Sequence, residues 1–415
     1  MNINNVKRPP KRFSSAYLSN LNIQAYGADN LYPQRMLDLI LNSPTGGTCC
    51  ERYQTFIEGN GLNNQSFSEY IVNRAGETVD DIYRLIARDM AQFHGFALHV
   101  NYNMKCEIVE LHYVPFQNCR LQEEDEFGQV EYIHIHPDWT GAKTRNGKKI
   151  TVDKNNVKKI HPFNPNKGVV MAQIIQAGGI ADYRGQLLWF SMDGRWEYPK
   201  PIYDKVVTNL STDEGLDNVK YRNARNNFLM AGMLIHKKGA TVGFDDEGEA
   251  VSGMDSTDFT KNLDVFQGDV NSCSIIDVEL QSDEDKPEFT TFEPTNYDSK
   301  FDSTERSVTE RIYSAFGQEP WYCIRTGKLG FSGTVLSEAY EYYNSYVAKE
   351  RRAISRTLKR IFDNWHEKAN TSGDYEVQPL VYVSNTSTEA SASIPAATPQ
   401  YNPLPNQPQR RIPHA

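Results

Sequence analysis

The sequence predicts an α+β protein, and three observations carry that prediction. Apolar residues recur at helical spacing from about residue 33 to 93 and then change to an alternating pattern. Two further helical stretches bracket a short, strand-containing, strongly acidic insert. The longest helical stripe of the chain lies near its C-terminal end, behind a glycine-containing loop.

The length, 415 residues, predicts two or three packed subdomains, and 39% hydrophobic with 23% charged residues is ordinary for a globular chain. No window approaches eighteen apolar residues, so no membrane span is expected. Met1 to Arg12 has no apolar run behind its charges, unlike a secretory signal. Cysteines at 49, 50, 106, 119, 273 and 323 form no CxxC motif, and reduced thiols in a cytosol are expected.

The elements follow in order. Residues 1–30 are polar, with Lys7, Arg8, Lys11 and Arg12 around two prolines, and read as an irregular arm. Met36, Leu37, Ile40 and Leu41 predict a helix after Pro33. Pro44 opens a second, carrying Cys49, Cys50, Tyr53 and Ile57 up to Gly59. Thr78 and Asp81 have capping-box spacing before Val79, Ile82, Ile86 and Phe93, and Gly95 is expected to end that helix. Phe96, Leu98, Val100 and Tyr102 then alternate, as do Val109, Leu111 and Tyr113. Ile133 and Ile135, Ile160 to Phe163 and Val169 to Ile175 are read as further strands of a mostly antiparallel sheet reaching residue 190. The lysine-rich stretch 141–156 reads as a hairpin or loop.

Helicity resumes from Pro201 to Ala231, with an expected break at Ser211–Gly215. Strands are expected at Met233–His236 and Ser274–Val278. The next helix runs from Tyr297 to Phe316 with Phe301, Val308, Ile312 and Phe316 inward, followed by a loop over 317–333. From Thr334, a plausible cap, Val335, Ala339, Tyr342, Tyr346, Ile354, Leu358, Ile361 and Trp365 predict one helix of about nine turns. Lys349, Arg351, Arg352, Lys359 and Arg360 lie along its later half. Six prolines between 395 and 413 predict an extended tail.

The net charge of −9 is unevenly spread. Gly239 to Glu310 holds 19 acidic residues against 4 basic ones, a balance of −15, and leaves the rest at +6. Alone, that asymmetry reads as a solvated surface.

Several segments, in the same order, resemble the portal (head-to-tail connector) family of tailed bacteriophages. Tyr221 to Gly232, YRNARNNFLMAG, is similar to the stem helix that runs into the clip. Val308 to Trp321, VTERIYSAFGQEPW, resembles the second stem helix and its terminal turn. Phe289 to Phe292 resembles the strand leaving the clip. Asp81 to Leu121, with ELHYVPFQNCRL, looks like the segment leading into the wing. The resemblance covers roughly residues 30–370. It implies a wing at 31–198, a first stem helix at 199–230, a clip at 231–295, a second stem helix at 296–318, a tunnel loop at 319–333 and a long wing helix at 334–370. A C-terminal strand and tail would follow at 371–415. The chain is short for the family and lacks a long helical C-terminal crown, so a crown is expected to be minimal or absent.

The resemblance further implies a homo-oligomeric ring, twelve subunits in number, at one capsid vertex of the virion, assembled in the host cytoplasm. Double-stranded DNA would pass through it without sequence specificity during packaging and ejection. Partners would be the major capsid protein, the terminase and a head-completion adaptor, with no membrane and no cofactor. On that mapping Arg325, Lys328, Leu329 and Phe331 are the tunnel-loop candidates. Asp245, Asp246, Glu247, Glu249, Asp277, Glu279, Asp283, Glu284, Asp285, Asp302 and Glu305 form an acidic clip and stem. A lysine-lined bore would hold phosphates by counterion release, whereas an acidic one lets DNA slide.

Enzyme signatures are sparse. No Walker, GxSxG or HExxH motif occurs, and the Asp245–Glu249 cluster lacks EF-hand spacing. His134 and His136 share a strand face, and His161 could supply a third metal ligand, which makes a metal-dependent hydrolase the competing class. A polar sheet face is the plainer reading of these histidines. His99, Cys106, His112 and Cys119 are too evenly spaced for a zinc site. Another virion component, such as an adaptor, is the third class. The expectation is a non-enzyme with no metal.

Overall fold

The computed structural model describes residues 17–18, 21–125, 128–141, 144–145, 148–149, 152–194, 197–227, 232–237, 241–244, 250–252, 254–255, 275–280, 297–330 and 332–382. Side chains in 142–151 and 222–300 lie outside that description. So does the proline-rich tail.

The fold is mixed helix and sheet. A two-residue pair, β1 (Tyr17–Leu18) with β2 (Ile23–Gln24), precedes helices α1 (Tyr32–Asn42), α2 (Pro44–Glu58), α3 (Gln65–Ser68) and α4 (Val79–Phe93). Local chemistry sets the joints. Ser43 Oγ accepts from Gly46 N at 3.0 Å and caps α2, with Pro44 in its first turn. Thr78 and Asp81 form a complete capping box, Asp81 N to Thr78 Oγ1 at 3.2 Å and Thr78 N to Asp81 Oδ2 at 2.9 Å. Leu41, expected inward, is 64% exposed because α1 turns its Met36–Ile40 edge to the core.

The helix α4 ends one residue before the expected glycine. His94 takes the left-handed conformation at φ 58°. Gly95 instead starts a strand so close to its neighbours that a Cβ would lie 2.6 Å from Phe190 O.

Strands β3 (Gly95–Tyr102), β4 (Ile108–Val114), β5 (Cys119–Leu121), β6 (Ile133–Ile135), β9 (Lys158–Pro162) and β10 (Gln186–Ser191) form one six-stranded sheet, ordered β4-β3-β10-β9-β6-β5, with the hairpin β7 (Thr144–Arg145) and β8 (Lys148–Lys149) apart from it. All pairings are antiparallel except β9 with β10. Leu98 stands opposite Tyr113 and Leu188, and Val100 opposite Leu111. A bulge before Tyr102 sets Ile108 against it, which takes Val109 out of the expected alternation. The sequence reading missed β10 and misread Val169–Ile175, which is part of helix α5 (Lys167–Ala177). Asn166 caps that helix and left-handed Gly178 closes it, signals that outweigh its continuous apolar run.

Both faces of the sheet are covered. Phe96, Leu98 and Val100 join the main core with α2, α4 and the later helices, while Ala97 and Leu187 join a second core with Phe116, Ile133 and Tyr198. Residues 21–30 pack on this second side. Arg120, fully buried, donates to Asn30 Oδ1 at 2.6 Å and Asn30 O at 2.7 Å, and its guanidinium lies between the rings of Tyr26 and Trp139.

A 3-10 turn (Ile202–Val206) leads into α6 (Val207–Asn227) without the expected break at 211–215. Asp213 explains the continuity. Its carboxylate is buried and accepts from Ser43 Oγ at 2.7 Å and from Thr45 N and Oγ1 at 3.0 Å each, so the polar run is an anchor and not a loop. The insert beyond α6 contains the parallel sheet β11-β15-β14 (Gly232–Lys237, Ile275–Leu280, Met254–Asp255) and the hairpin β12 (Thr241–Phe244) with β13 (Ala250–Ser252). Helix α7 (Tyr297–Ala315) returns to the body, where Val308, Ile312 and Phe316 are buried.

Two further corrections concern the C-terminal half. The loop expected over 317–333 contains helix α8 (Glu319–Arg325), started by Pro320. The single nine-turn helix is two, α9 (Gly333–Tyr346) and α10 (Ala348–Phe362), capped by Ser332 and not Thr334. Arg351 causes the break by capping the end of α9, with Nη2 donating to Asn344 O at 2.7 Å and Nη1 to Phe56 O at 2.8 Å. The shift turns Tyr343 inward, fully buried, and leaves Tyr342 51% exposed. Among the described residues of the C-terminal segment, Val377 forms a bridge with Leu62, flanked by backbone hydrogen bonds from Asn63 N to Glu376 O and from Gln378 N to Gly61 O.

Replacing Asp213 by Ala leaves three donors without their acceptor, two of them hydroxyls that can turn elsewhere. A loss of about 3 kcal/mol is expected, measured by urea denaturation of wild type and variant at pH 7.

Candidate DNA-channel elements

The candidate site is built from two long helices and the turn behind them. Helix α6 packs on α7, and among the described residues the pair is anchored in the body at the Leu210–Leu216 and Val308–Phe316 end. On α6, Leu210, Asp213 and Leu216 are buried, whereas Val219 and Tyr221 further along are 39% and 59% exposed. On α7 the order is reversed, with Asp302 and Arg306 exposed and Val308, Ile312, Tyr313 and the following Phe316 buried. Exposure therefore rises along both helices with distance from the buried end, as expected of a pair that runs out from the body. Lys220 donates to Glu305 across the gap, and the carboxylate raises the pKa of the lysine.

Gln318 fixes the base of α7. This fully buried amide donates from Nε2 to Cys49 O and Tyr343 Oη, each at 2.8 Å, and its Oε1 accepts from Arg52 Nη1 at 2.9 Å. Tyr343 Oη in turn donates to Phe316 O at 3.0 Å. One side chain thus ties α2, α7 and α9 together. Left-handed Gly317 makes the turn (φ 66°), and a Cβ there would meet the Tyr346 ring at 2.6 Å.

Arg325 ends α8 and donates to Tyr313, which raises its pKa. Gly327, at φ 73°, closes the helix, with Gly327 N bonded to Ile324 O at 3.1 Å and Leu329 N to Cys323 O at 3.1 Å. Lys328 is exposed with its ammonium 5.4 Å from the centre of the Tyr322 ring, and Leu329 is 43% exposed. Phe331 lies outside the described residues.

Of the acidic candidates, Asp302 is exposed and Glu305 is engaged by Lys220. Asp277 and Glu279 stand on β15, opposite Leu234 and His236 of β11. Asp245, Asp246, Glu247, Glu249, Asp283, Glu284 and Asp285 lie outside the described residues.

The histidines are distributed differently from a metal site. His134 and His136 are almost fully buried, and His136 Nδ1 accepts from Asp138 N at 3.1 Å. The His161 ring lies against Tyr132 at a tilt of 35°, with ring centres 4.5 Å apart. Among the described residues no three His, Cys, Asp or Glu side chains gather closely enough to hold a metal ion. His134 has neither ring nitrogen hydrogen-bonded. Burial, assisted by Lys159, lowers its pKa to about 4.

Sequence reasoning missed the anchors. Asp213 falls inside the stretch expected to break a helix, and Gln318 carries no motif.

No protein-family model matches the chain, and no curated protein matches it. Solved structures that align with it include a chain from the neck of a native gene transfer agent particle computed with C12 symmetry, at 12% identity and TM-score 0.43, covering 81% of this chain and 82% of that one. A chain from the virion of the native gene transfer agent particle aligns at 12% identity and TM-score 0.42, covering 80% of each. An HK97-family phage portal protein from Corynebacterium diphtheriae aligns at 10% identity and TM-score 0.32, covering 72% of this chain and 86% of that one.

The unpartnered imidazole has a pH consequence. Its pKa is lower folded than in an unfolded chain, so the unfolded state takes up the proton first as pH falls below about 6.5. Stability contributed by neutral His134 is complete above that pH and is lost toward pH 4. Between pH 7 and pH 5 the wild type should lose about 1–2 kcal/mol more than His134→Leu, read from urea midpoints at the two pH values.

Proposed function

We propose that this chain is the subunit of a phage-type portal, a ring set in the virion through which DNA passes. One observation carries the reading: two long polar helices, α6 and α7, packed on each other, bracket a β-containing insert and are anchored at one end in an α+β body. A monomer gains little by extending such a pair into water. In a closed ring the same pairs line up side by side and enclose a channel, and cyclic symmetry is the common way for one chain to make a closed assembly.

In this reading the body forms the wing, the helix pair the stem, and the insert the clip. The −15 balance of residues 239–310 lies on the clip and second stem helix. Carboxylates there repel the duplex and lower friction, where a basic wall would grip it. Lys328, held beside Tyr322, and Arg325 are the cations proposed to approach DNA near the base of the stem. The clip is the proposed seat of the terminase and then of a head-completion adaptor, and the wing meets the capsid protein.

The mass of the native assembly tests this. One chain weighs 47.3 kDa. Mass photometry of the purified full chain, with negative-stain images of the same fraction, should give a ring with a central hole. Twelve copies would weigh about 570 kDa, as expected for closed cyclic symmetry. A discrete dimer carrying one metal ion per chain would overturn the reading in favour of a metal-dependent enzyme.

A further inference from the structure

Helix α10 carries a row of cations that the fold leaves largely without ion-pair partners among the described residues. Lys349, Arg352, Arg356 and Arg360 follow one another at spacings of three, four and four residues, which sets them along one edge of the helix. All four are exposed, while Ile354, Leu358 and Ile361 on the opposite side are buried. Among the described residues no carboxylate lies within ion-pair distance of Arg352, Arg356 or Arg360. Their surroundings are instead apolar, as with Arg360 above the Phe163 ring, 5.5 Å from its centre. The one acid beside the row, Glu350, is fully buried and accepts from Tyr53 Oη at 2.8 Å, although Lys349 reaches it at 3.5 Å.

The row has a shape as well as a charge. The four cations line a hollow of about 450 Å³ floored by Phe190, Met192 and Ala353. A second hollow of about 620 Å³ shares Lys349 and Met192 with it, and there Lys200 and Lys205 stand with Asp193 and Asp204. Asp204 is occupied, accepting from Tyr32 Oη at 2.5 Å and lying 3.8 Å from Lys200. The result is one open trough with six cations, two surface carboxylates and an apolar floor.

We propose that this trough binds the phosphate backbone of duplex nucleic acid, at a place separate from the α6–α7 pair and the α8 turn. Lys349 to Arg360 spans eleven residues, or roughly 16 Å of helix. Several backbone phosphates of one strand fit that length. Guanidinium groups are suited to the partner, since their planar donor forks match phosphate oxygens. The trough holds no groups arranged to read base edges, so binding is independent of sequence.

The test uses the full chain and a fluorescein-labelled 30-base-pair duplex of arbitrary sequence. Anisotropy titrations run at several salt concentrations between 50 and 200 mM KCl. The comparison is wild type against Arg352→Gln/Arg356→Gln/Arg360→Gln, with Lys105→Gln/Lys368→Gln as a control at exposed lysines outside the trough. Removing one phosphate-binding cation should make the slope of log K on log salt shallower by about 0.9. The triple variant should therefore flatten it by about 2 to 3 and weaken binding at least about tenfold at low salt, while the control keeps the wild-type slope. Equal slopes for wild type and triple variant would overturn the proposal. So would unchanged DNA binding with a changed native mass, which would make the trough a contact between copies of this chain. A wild-type ring that binds no duplex would sink this proposal and leave the portal reading standing. A non-ring protein whose salt slope responds to the variant would do the reverse.

Discussion

Two polar helices that leave the body have to be held from below, and the rest of the structure is arranged around that constraint. Among the described residues, α6 buries Leu210 and Leu216 and the first half of α7 leaves Asp302 and Arg306 exposed. Asp213 fixes α6 by taking three hydrogen bonds from the α1–α2 joint. Gln318 fixes α7 by joining the α2 backbone, Arg52 and Tyr343. Both groups are buried and satisfied, so each is worth far more than the exposed Lys220–Glu305 pair higher up.

Those anchors need a rigid partner, and α2 supplies it. One side of α2 meets α4 and the sheet, and another meets α7 and α9. Phe56 packs edge-on against Tyr343 and Trp321, and Tyr53 against Phe316, which makes the α2–α7–α9 junction an aromatic core. Glu350, buried under this layer, is engaged through Oε1 by Tyr53 Oη and Lys349, while its Oε2 has no hydrogen-bond partner among the described residues. The neighbouring His94 is held neutral, its pKa lowered to about 4 by burial and by Lys349.

Charge is then separated by position. The acidic insert and the helix running back from it lie on one stretch of sequence, and the cationic edge of α10 on another. Carboxylates and guanidinium groups act oppositely on a polyanion, so the two stretches present opposite electrostatic surfaces.

Local signals were legible wherever one residue decides the backbone. The Thr78–Asp81 box, Pro44 after Ser43, and the alternation of Phe96, Leu98 and Val100 determined α4, α2 and β3 from sequence alone. The order of helix, strand-containing insert and returning helix was legible too, although the first helix runs through its expected break. Tertiary structure decided the cases in which a distant group competes with local pattern. Val169–Ile175 reads as a strand until its caps are weighed. The 211–215 stretch reads as a break until Asp213 finds Ser43 and Thr45. The long C-terminal stripe reads as one helix until Arg351 reaches back to Asn344 O and Phe56 O. Periodicity reports which face of an element is apolar, but not which far-off donor will end it or hold it. That information exists only once the chain has folded and brought residue 43 to residue 213 and residue 56 to residue 351.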